Sequence, residues 1–173
     1  IMKKILITGG AGFLGRHLCK KLLENNNIVV VIDDLSTGKK QNVISESVFF
    51  EGDIRDKNLL ADAAKGCDVI FHLAARVELQ KSIIDPSDCF SVNITGTSNI
   101  ITETLKQKNR KLVFASSCAV YPLDPKSVLS EDMSNMGETP YTMSKVMGEN
   151  MMKFYHKVMG LNYSALRCFN IYG

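Results

Sequence analysis

The stretch KKILITGGAGFLGRHL, residues 3–18, sets four glycines (Gly9, Gly10, Gly12 and Gly15) between a short apolar run and a helix-like run. Glycine gives up more backbone freedom on folding than any other residue, so a cluster at such a junction points to a geometry that side chains would obstruct. Thr8 closes the apolar run and Leu14 stands one turn into the helix-like run, which gives the spacing Gly9-x-x-Gly12-x-x-Gly15. Gly9 can take the positive φ of a tight strand-to-helix turn. Without a Cβ at Gly12 a ligand can touch the backbone; without one at Gly15, helix and strand can approach closely. The amides at the helix start then face outward at the positive end of the helix dipole, which suits a pyrophosphate. A plain flexible turn is the competing reading, and glycine spacing alone does not separate the two.

The surroundings do. Short β-branched or apolar runs recur at 3–8, 28–33 (IVVVID), 47–50 (SVFF), 69–74 (VIFHLA), 111–116 (KLVFAS) and 163–168 (YSALRC). Their near-continuous apolar character is that of strands buried on both faces. Helix-like stretches lie between them at about Gly12–Glu24, Lys57–Lys65, Ser87–Lys108 and Pro140–Val158, with Pro86 near the start of the third and Gly160 just past the fourth. The alternation predicts right-handed crossovers and one α/β domain over residues 1–173, a doubly wound parallel sheet of Rossmann type with strand order 3-2-1-4-5-6. A long polar loop is expected over Tyr121–Glu138. Asp33 closes the second strand, where a carboxylate can accept both hydroxyls of an adenosine ribose and would repel a 2′-phosphate; this favours NAD over NADP.

Composition narrows the function classes. The 173 residues are 45% hydrophobic and 23% charged, with a net charge of +3. Acids and bases interleave, and the one basic cluster, Lys106–Lys111, reads as a solvated helix end, so no nucleic-acid partner is expected. No apolar run approaches a membrane span, and the strand beginning near Lys3 leaves no room for a signal peptide; a cytoplasmic protein with no membrane partner is expected. Ile1, ahead of Met2, reads as a remnant before the natural start. Five widely spaced cysteines, three scattered histidines and no C-x-x-C argue against a disulfide framework or a metal site.

A second constellation is Tyr141-Thr-Met-Ser-Lys145. Positions i and i+4 of a helix share a face. A phenol with an ordinary pKa of about 10 is a poor base at neutral pH, and a nearby ammonium or nicotinamide cation favours its ionised form. Such a pair can take the proton of a sugar hydroxyl while the carbon gives up a hydride. Tyr-x-x-x-Lys occurs by chance on many helices, but this one follows a strand ending in Ser116 and Ser117, and open α/β sheets bind ligands at that end. Ser117 can hydrogen-bond the same sugar oxygen, and Ser116 is read either as a helper or as a buried turn serine.

With these residues in view the chain resembles the extended short-chain dehydrogenase/reductase family, in particular its NAD-dependent nucleotide-sugar epimerase/dehydratase group. The resemblance runs along the whole chain through TGGAGFLG (8–15), DDLSTG (33–38), GDIRD (52–56), HLAA (72–75), NITGT (93–97), SSCAVYP (116–122), YTMSK (141–145) and LRCFNIYG (166–173). It implies that Gly9, Gly12, Phe13, Leu14 and Gly15 line a pyrophosphate and that Asp33 meets the ribose. Asp53 and Ile54 would flank adenine, and Leu73, Ala74 and Ala75 would lie beside the cofactor. Ser117 and Tyr141 would act on the sugar, and Lys145 would hold the nicotinamide ribose and tune Tyr141. Asn93 would support this network, and Phe169 and Asn170 would border the substrate.

The group shares oxidation at C4 of the sugar to a 4-keto intermediate. Its 4,6-dehydratases carry an Asp-Glu pair directly after the catalytic hydroxyl residue, where this chain has Cys118 and Ala119. Cys118 stands one residue from the cysteine position of some reductive epimerases, and a one-residue shift on a strand reverses side-chain direction, so it is read as a packing residue. The resemblance therefore implies 4-epimerisation of a nucleotide sugar, a UDP-hexose foremost. A dehydratase or reductase of the same group and a non-catalytic NAD-binding module are the alternatives. It also implies a homodimer through helices 87–108 and 140–159, and a C-terminal substrate-binding domain largely absent from this chain. The 173 residues are then expected to bind NAD and to turn over sugar nucleotide poorly or not at all.

Overall fold

The computed structural model describes residues 2–122, 128–133 and 137–173; the expected loop over Tyr121–Glu138 lies partly outside them. Six parallel strands, β1 (Lys4–Thr8), β2 (Ile28–Asp33), β3 (Val48–Glu51), β4 (Val69–His72), β5 (Lys111–Ser117) and β6 (Asn162–Cys168), form one sheet in the order β3-β2-β1-β4-β5-β6. This is the predicted Rossmann-type order.

The pleat sorts the apolar runs between two layers. Leu6, Val30, Ile32, Ile70, Leu112 and Phe114 face one side of the sheet. There they meet Leu60 of α2 (Lys57–Ala64), Ile100 and Ile101 of α5 (Thr97–Leu105), and Met152 of α6 (Pro140–Met159). Ile7, Val29 and Val31 face the other, against Cys19, Leu18 and Leu22 of α1 (Phe13–Glu24). Full burial on both faces holds for β1 and β2 but not for the edges: β3 and β6 are half-exposed, and Leu166 is 51% exposed. The expectation of uniformly two-sided strands was too broad, because α1 is the only helix packed on its face among the described residues.

The expected helix over Ser87–Lys108 is divided. Asp85 caps a short α4 (Pro86–Phe90), a π-helical turn follows at Ser91–Gly96, and α5 resumes at Thr97. A further short helix, α3 (Leu79–Ile84), precedes them. Helix α6 matches its prediction closely: Thr139 and Thr142 form a reciprocal cap, Pro140 opens the helix, and Gly160 ends it in the left-handed region at φ 70°. At the amino ends of the strands, buried Arg110 donates to the carbonyls of Cys67, Ala64 and Glu103, tying α2 and α5 to the sheet. Among the described residues, no helix is long and apolar enough to cross a membrane.

Candidate functional site

The site lies at the carboxyl ends of the strands, where β1 and β4 leave the sheet for opposite faces. Gly9 takes φ 74°, and a Cβ there would stand 2.8 Å from the Ala74 nitrogen. A Cβ on Gly10 would strike the Val31 side chain, and one on Gly15 would strike the Gly9 carbonyl oxygen. The close approach to a strand expected of Gly15 therefore belongs to Gly10, and Gly15 seats the helix on the turn itself. Gly12 differs: a Cβ there would meet only the Gly9 carbonyl, at 3.3 Å, so the position opens outward. As the cap of α1, Gly12 offers no side chain to the first amides, and no acid stands in the first turn. Those donors remain free for an anion.

A cleft of about 310 Å³ extends from this turn. Its walls include Gly9, Gly12, Phe13, Leu14 and Gly15 at the turn, and Asp33, Asp53 and Ile54 at one end. Leu73, Ala74 and Ala75 flank it, and Tyr141 and Lys145 close the other end. Asp33 is 8% exposed; its carboxylate accepts from Ala11 N and Leu35 N, each at 2.9 Å, so it shapes the glycine turn while each oxygen keeps a second lone pair. Asp53 is gripped by Arg55, whose hydrogen bonds hold the carboxyl below its usual range.

Buried Lys145 donates to the Ala115 carbonyl at 2.8 Å, with its ammonium 5.9 Å from the Tyr141 ring centre. Burial pulls its pKa down to about 8, opposed by the nearby thiols of Cys168 and Cys89. Burial also pushes the Tyr141 phenol up, and the Ser117 hydroxyl pulls it only partway back. Without a cofactor the phenol is therefore held above its ordinary value, chiefly by burial.

Four predicted residues lie off the cleft wall. Ser117 accepts from Ala119 N at 3.2 Å and caps the tight turn Cys118–Val120. Cys118 therefore starts a turn, so the alternation reasoning applied to it does not hold there. Asn93 is 3% exposed behind the cleft. It pairs with both backbone groups of Arg76 (2.7 and 3.0 Å) and donates to Ser144 Oγ at 2.9 Å, while Ser144 Oγ donates to the Tyr141 carbonyl at 2.7 Å. Phe169 stacks on Tyr121 at 6.2 Å, and Phe169 and Asn170 are exposed beyond β6. Ser116 is buried and donates to Glu149, as a structural serine would, but it stands within β5 and not at a turn.

Two networks escaped the sequence reading. In the first, Thr97 Oγ1 donates to the Asn93 carbonyl, so it must accept from His72 Nε2 at 2.9 Å. His72 Nδ1 then accepts from Thr8 Oγ1 at 2.8 Å, and Thr8 Oγ1 in turn accepts from Leu73 N and Ala74 N. The chain fixes a neutral Nε2–H imidazole, and burial, with Lys145 adding repulsion, depresses its pKa to about 3. In the second, Arg167 holds Glu149 bidentately at 3.0 and 2.9 Å and reaches the carbonyls of Glu131 and Met133. Burial alone would raise Glu149; Arg167 and Ser116 together keep it below its usual range. Only tertiary proximity joins these residues, although HLAA and LRCFNIYG both carried a signal in their motifs. Among the described residues no group of three or more His, Cys, Asp or Glu could hold a metal.

The NAD dependent epimerase/dehydratase family matches residues 5–173. A Methanocaldococcus jannaschii protein provisionally named a UDP-glucose 4-epimerase is 39% identical over 171 residues, 98% of this chain and 56% of that protein. A Thermus thermophilus UDP-glucose 4-epimerase solved in complex with NAD is 34% identical, with a TM-score of 0.89 over 95% of this chain and 54% of that one. A Thermotoga maritima UDP-glucose 4-epimerase solved with UDP-glucose is 32% identical, with a TM-score of 0.93 over 98% of this chain and 56% of that one. The chain spans about half the length of the curated relatives it matches.

Proposed function

The chain belongs to the NAD-dependent epimerase/dehydratase family, and from that premise we propose that it is the cofactor-binding half of a nucleotide-sugar 4-epimerase acting on a UDP-hexose. The observation that carries this reading is one continuous cleft that runs from Asp33 past the uncapped amides of the glycine turn to the Tyr141–Lys145 pair. The fit to NAD rests on the open Gly12 position, the Asp33 carboxylate at the strand end, and a buried lysine with one bond to a carbonyl and donors to spare.

The amides of Phe13 and Leu14 take the pyrophosphate, Asp33 the adenosine ribose, and Lys145 the nicotinamide ribose. NAD, when bound, supplies the hydride acceptor and a cationic ring beside the phenol. Tyr141 starts protonated, because burial holds its pKa up. In the loaded site added positive charge would bring it down, so that the phenol gives its proton to solvent and, as phenolate, takes the sugar hydroxyl proton while Ser117 holds that oxygen. Asn93 keeps the first turn of α6 in register with the cleft through Ser144. The same tyrosine returns the proton once the keto sugar has turned its other face. The absence of an acid at Cys118 and Ala119 supports epimerisation over dehydration.

A sugar-nucleotide pocket completed by residues outside this chain is consistent with the span relative to the relatives, and Phe169 and Asn170 are placed to border it. For a partner we propose a second copy, with Met143, Met147, Phe154 and Val158 forming an exposed apolar stripe on α6. The five unpaired thiols support a cytoplasmic setting. Incubating the intact protein with UDP-galactose and following UDP-glucose tests the activity. Interconversion that disappears in Tyr141→Phe supports it; NAD binding without any sugar-nucleotide chemistry supports a binding module instead.

A further inference from the structure

Resting on the reading of the cleft as a dinucleotide site, we propose that Arg76 is a positioning residue that pins the 34–38 loop across the cleft mouth and thereby sets how long the cofactor stays bound. The loop lines the cleft through Asp34, Ser36 and Gly38. Its inner end is seated: Gly38 packs so closely on Ala11 that a Cβ would stand 2.9 Å from the Ala11 Cβ. Its outer part is held under strain, with Leu35 in the left-handed region at φ 56°, a conformation that non-glycine residues keep only when their surroundings impose it.

Asp33 holds the Leu35 N–H from below, and Arg76 ties the residues on either side of Leu35 from across the cleft. Its Nη1 donates to Ser36 Oγ at 2.7 Å and lies 3.5 Å from Asp34, while its Nε donates to Asp88 of α4 at 2.7 Å. Ser36 Oγ in turn donates to Asp34, so the loop and the guanidinium form one closed set of bonds. An ordinary surface ion pair contributes little because both partners are free to move. Here one partner is not: both backbone groups of Arg76 are fixed by Asn93, which is itself tied to the first turn of α6. Among the described residues, no other side chain from across the cleft hydrogen-bonds Asp34 or Ser36. A cofactor seated beneath the loop leaves only after these bonds open.

The test uses the intact protein, NADH as the probe, and two readouts. Release of NADH is timed by fluorescence after adding excess NAD, in wild type, Arg76→Ala and Arg76→Lys. Amide hydrogen exchange without cofactor is read at Ser36 and Thr37, with β1 as the internal control. We expect release about tenfold faster in Arg76→Ala, an intermediate rate in Arg76→Lys, and faster exchange confined to the loop. Release within twofold of wild type, with unchanged loop exchange, overturns the proposal while leaving the cofactor reading intact. A wild type that takes up no NADH overturns the cofactor reading and the residence claim with it; the exchange data still decide whether the loop is pinned. Should Arg76→Ala fail to fold, Asp34→Asn must show the same local rise in exchange, and its absence counts against the proposal.

Discussion

Replacing His72 with glutamine tests the buried network beneath the cleft through its pH dependence. His72 is held neutral, with a pKa near 3 against an ordinary 6.5. The sign follows from proton counting: below pH 6.5 the unfolded chain takes up a proton that the folded chain refuses, so stability is full above that value and falls as pH drops toward 3. The limiting slope is about 1.4 kcal/mol per pH unit, which makes the loss about 2 kcal/mol by pH 5 and about 3 kcal/mol by pH 4. Against a typical total of roughly 5–15 kcal/mol this is a large fraction. Urea unfolding at pH 7.5, 6 and 5 reads it directly. Glutamine can donate to Thr97 and accept from Thr8 but has no proton to gain, so His72→Gln should show a slope lower by up to one proton. The readout is the slope, so a fixed loss of stability in the variant does not disturb it. Equal slopes in wild type and variant, or a His72 imidazole that titrates above pH 5 by NMR, would refute the neutral-histidine reasoning.

Three further outcomes are expected. Glu149→Ala leaves the Arg167 guanidinium, only 11% exposed, without its partner and should cost about 3–5 kcal/mol, seen as a drop in Tm of roughly 6–20 °C. Because the Glu149 carboxyl sits below its ordinary value, its contribution is present above about pH 4.5 and lost as pH falls through its lowered folded value, a window that overlaps only the acid end of the His72 one and leaves the His72 slope between pH 7.5 and 5 to be read alone. Tyr141→Phe should cut epimerase turnover about 10²–10⁴-fold while leaving NAD affinity within a few-fold, by steady-state assay and calorimetry. Phe154→Glu, at a 58% exposed position, should halve the mass seen by light scattering if the α6 stripe pairs two copies; an unchanged dimer would exclude this face.

What the sequence disclosed, it disclosed through local rules. The six strands are short apolar runs, and α6 announces both ends through its Thr-Pro start and glycine stop. The turn at Gly9–Gly15 is legible because three glycine positions, a preceding strand and a following helix all constrain one backbone path. The π-helical turn at Ser91–Gly96 was illegible because its cause is tertiary: it lets Asn93 face Arg76 while Asn99 reaches the Ile54 and Arg55 carbonyls. Arg76, His72 and Glu149 were missed or left without a role for the same reason, since these partners lie 17 to 64 residues away. The burial that raises the Tyr141 phenol was illegible because sequence spacing shows a neighbouring charge but not what covers the ring.

The central claim is that the uncapped start of α1 holds the pyrophosphate at the middle of one dinucleotide, with Asp33 at its adenosine end and the Tyr141–Lys145 pair at its nicotinamide end. A crystal structure of the intact protein grown with NAD tests it most directly. The account predicts the pyrophosphate on the amides of Phe13 and Leu14, the adenosine ribose on Asp33, and the nicotinamide ribose on Lys145. A dinucleotide bound elsewhere, or one whose nicotinamide end points away from Tyr141, would contradict it.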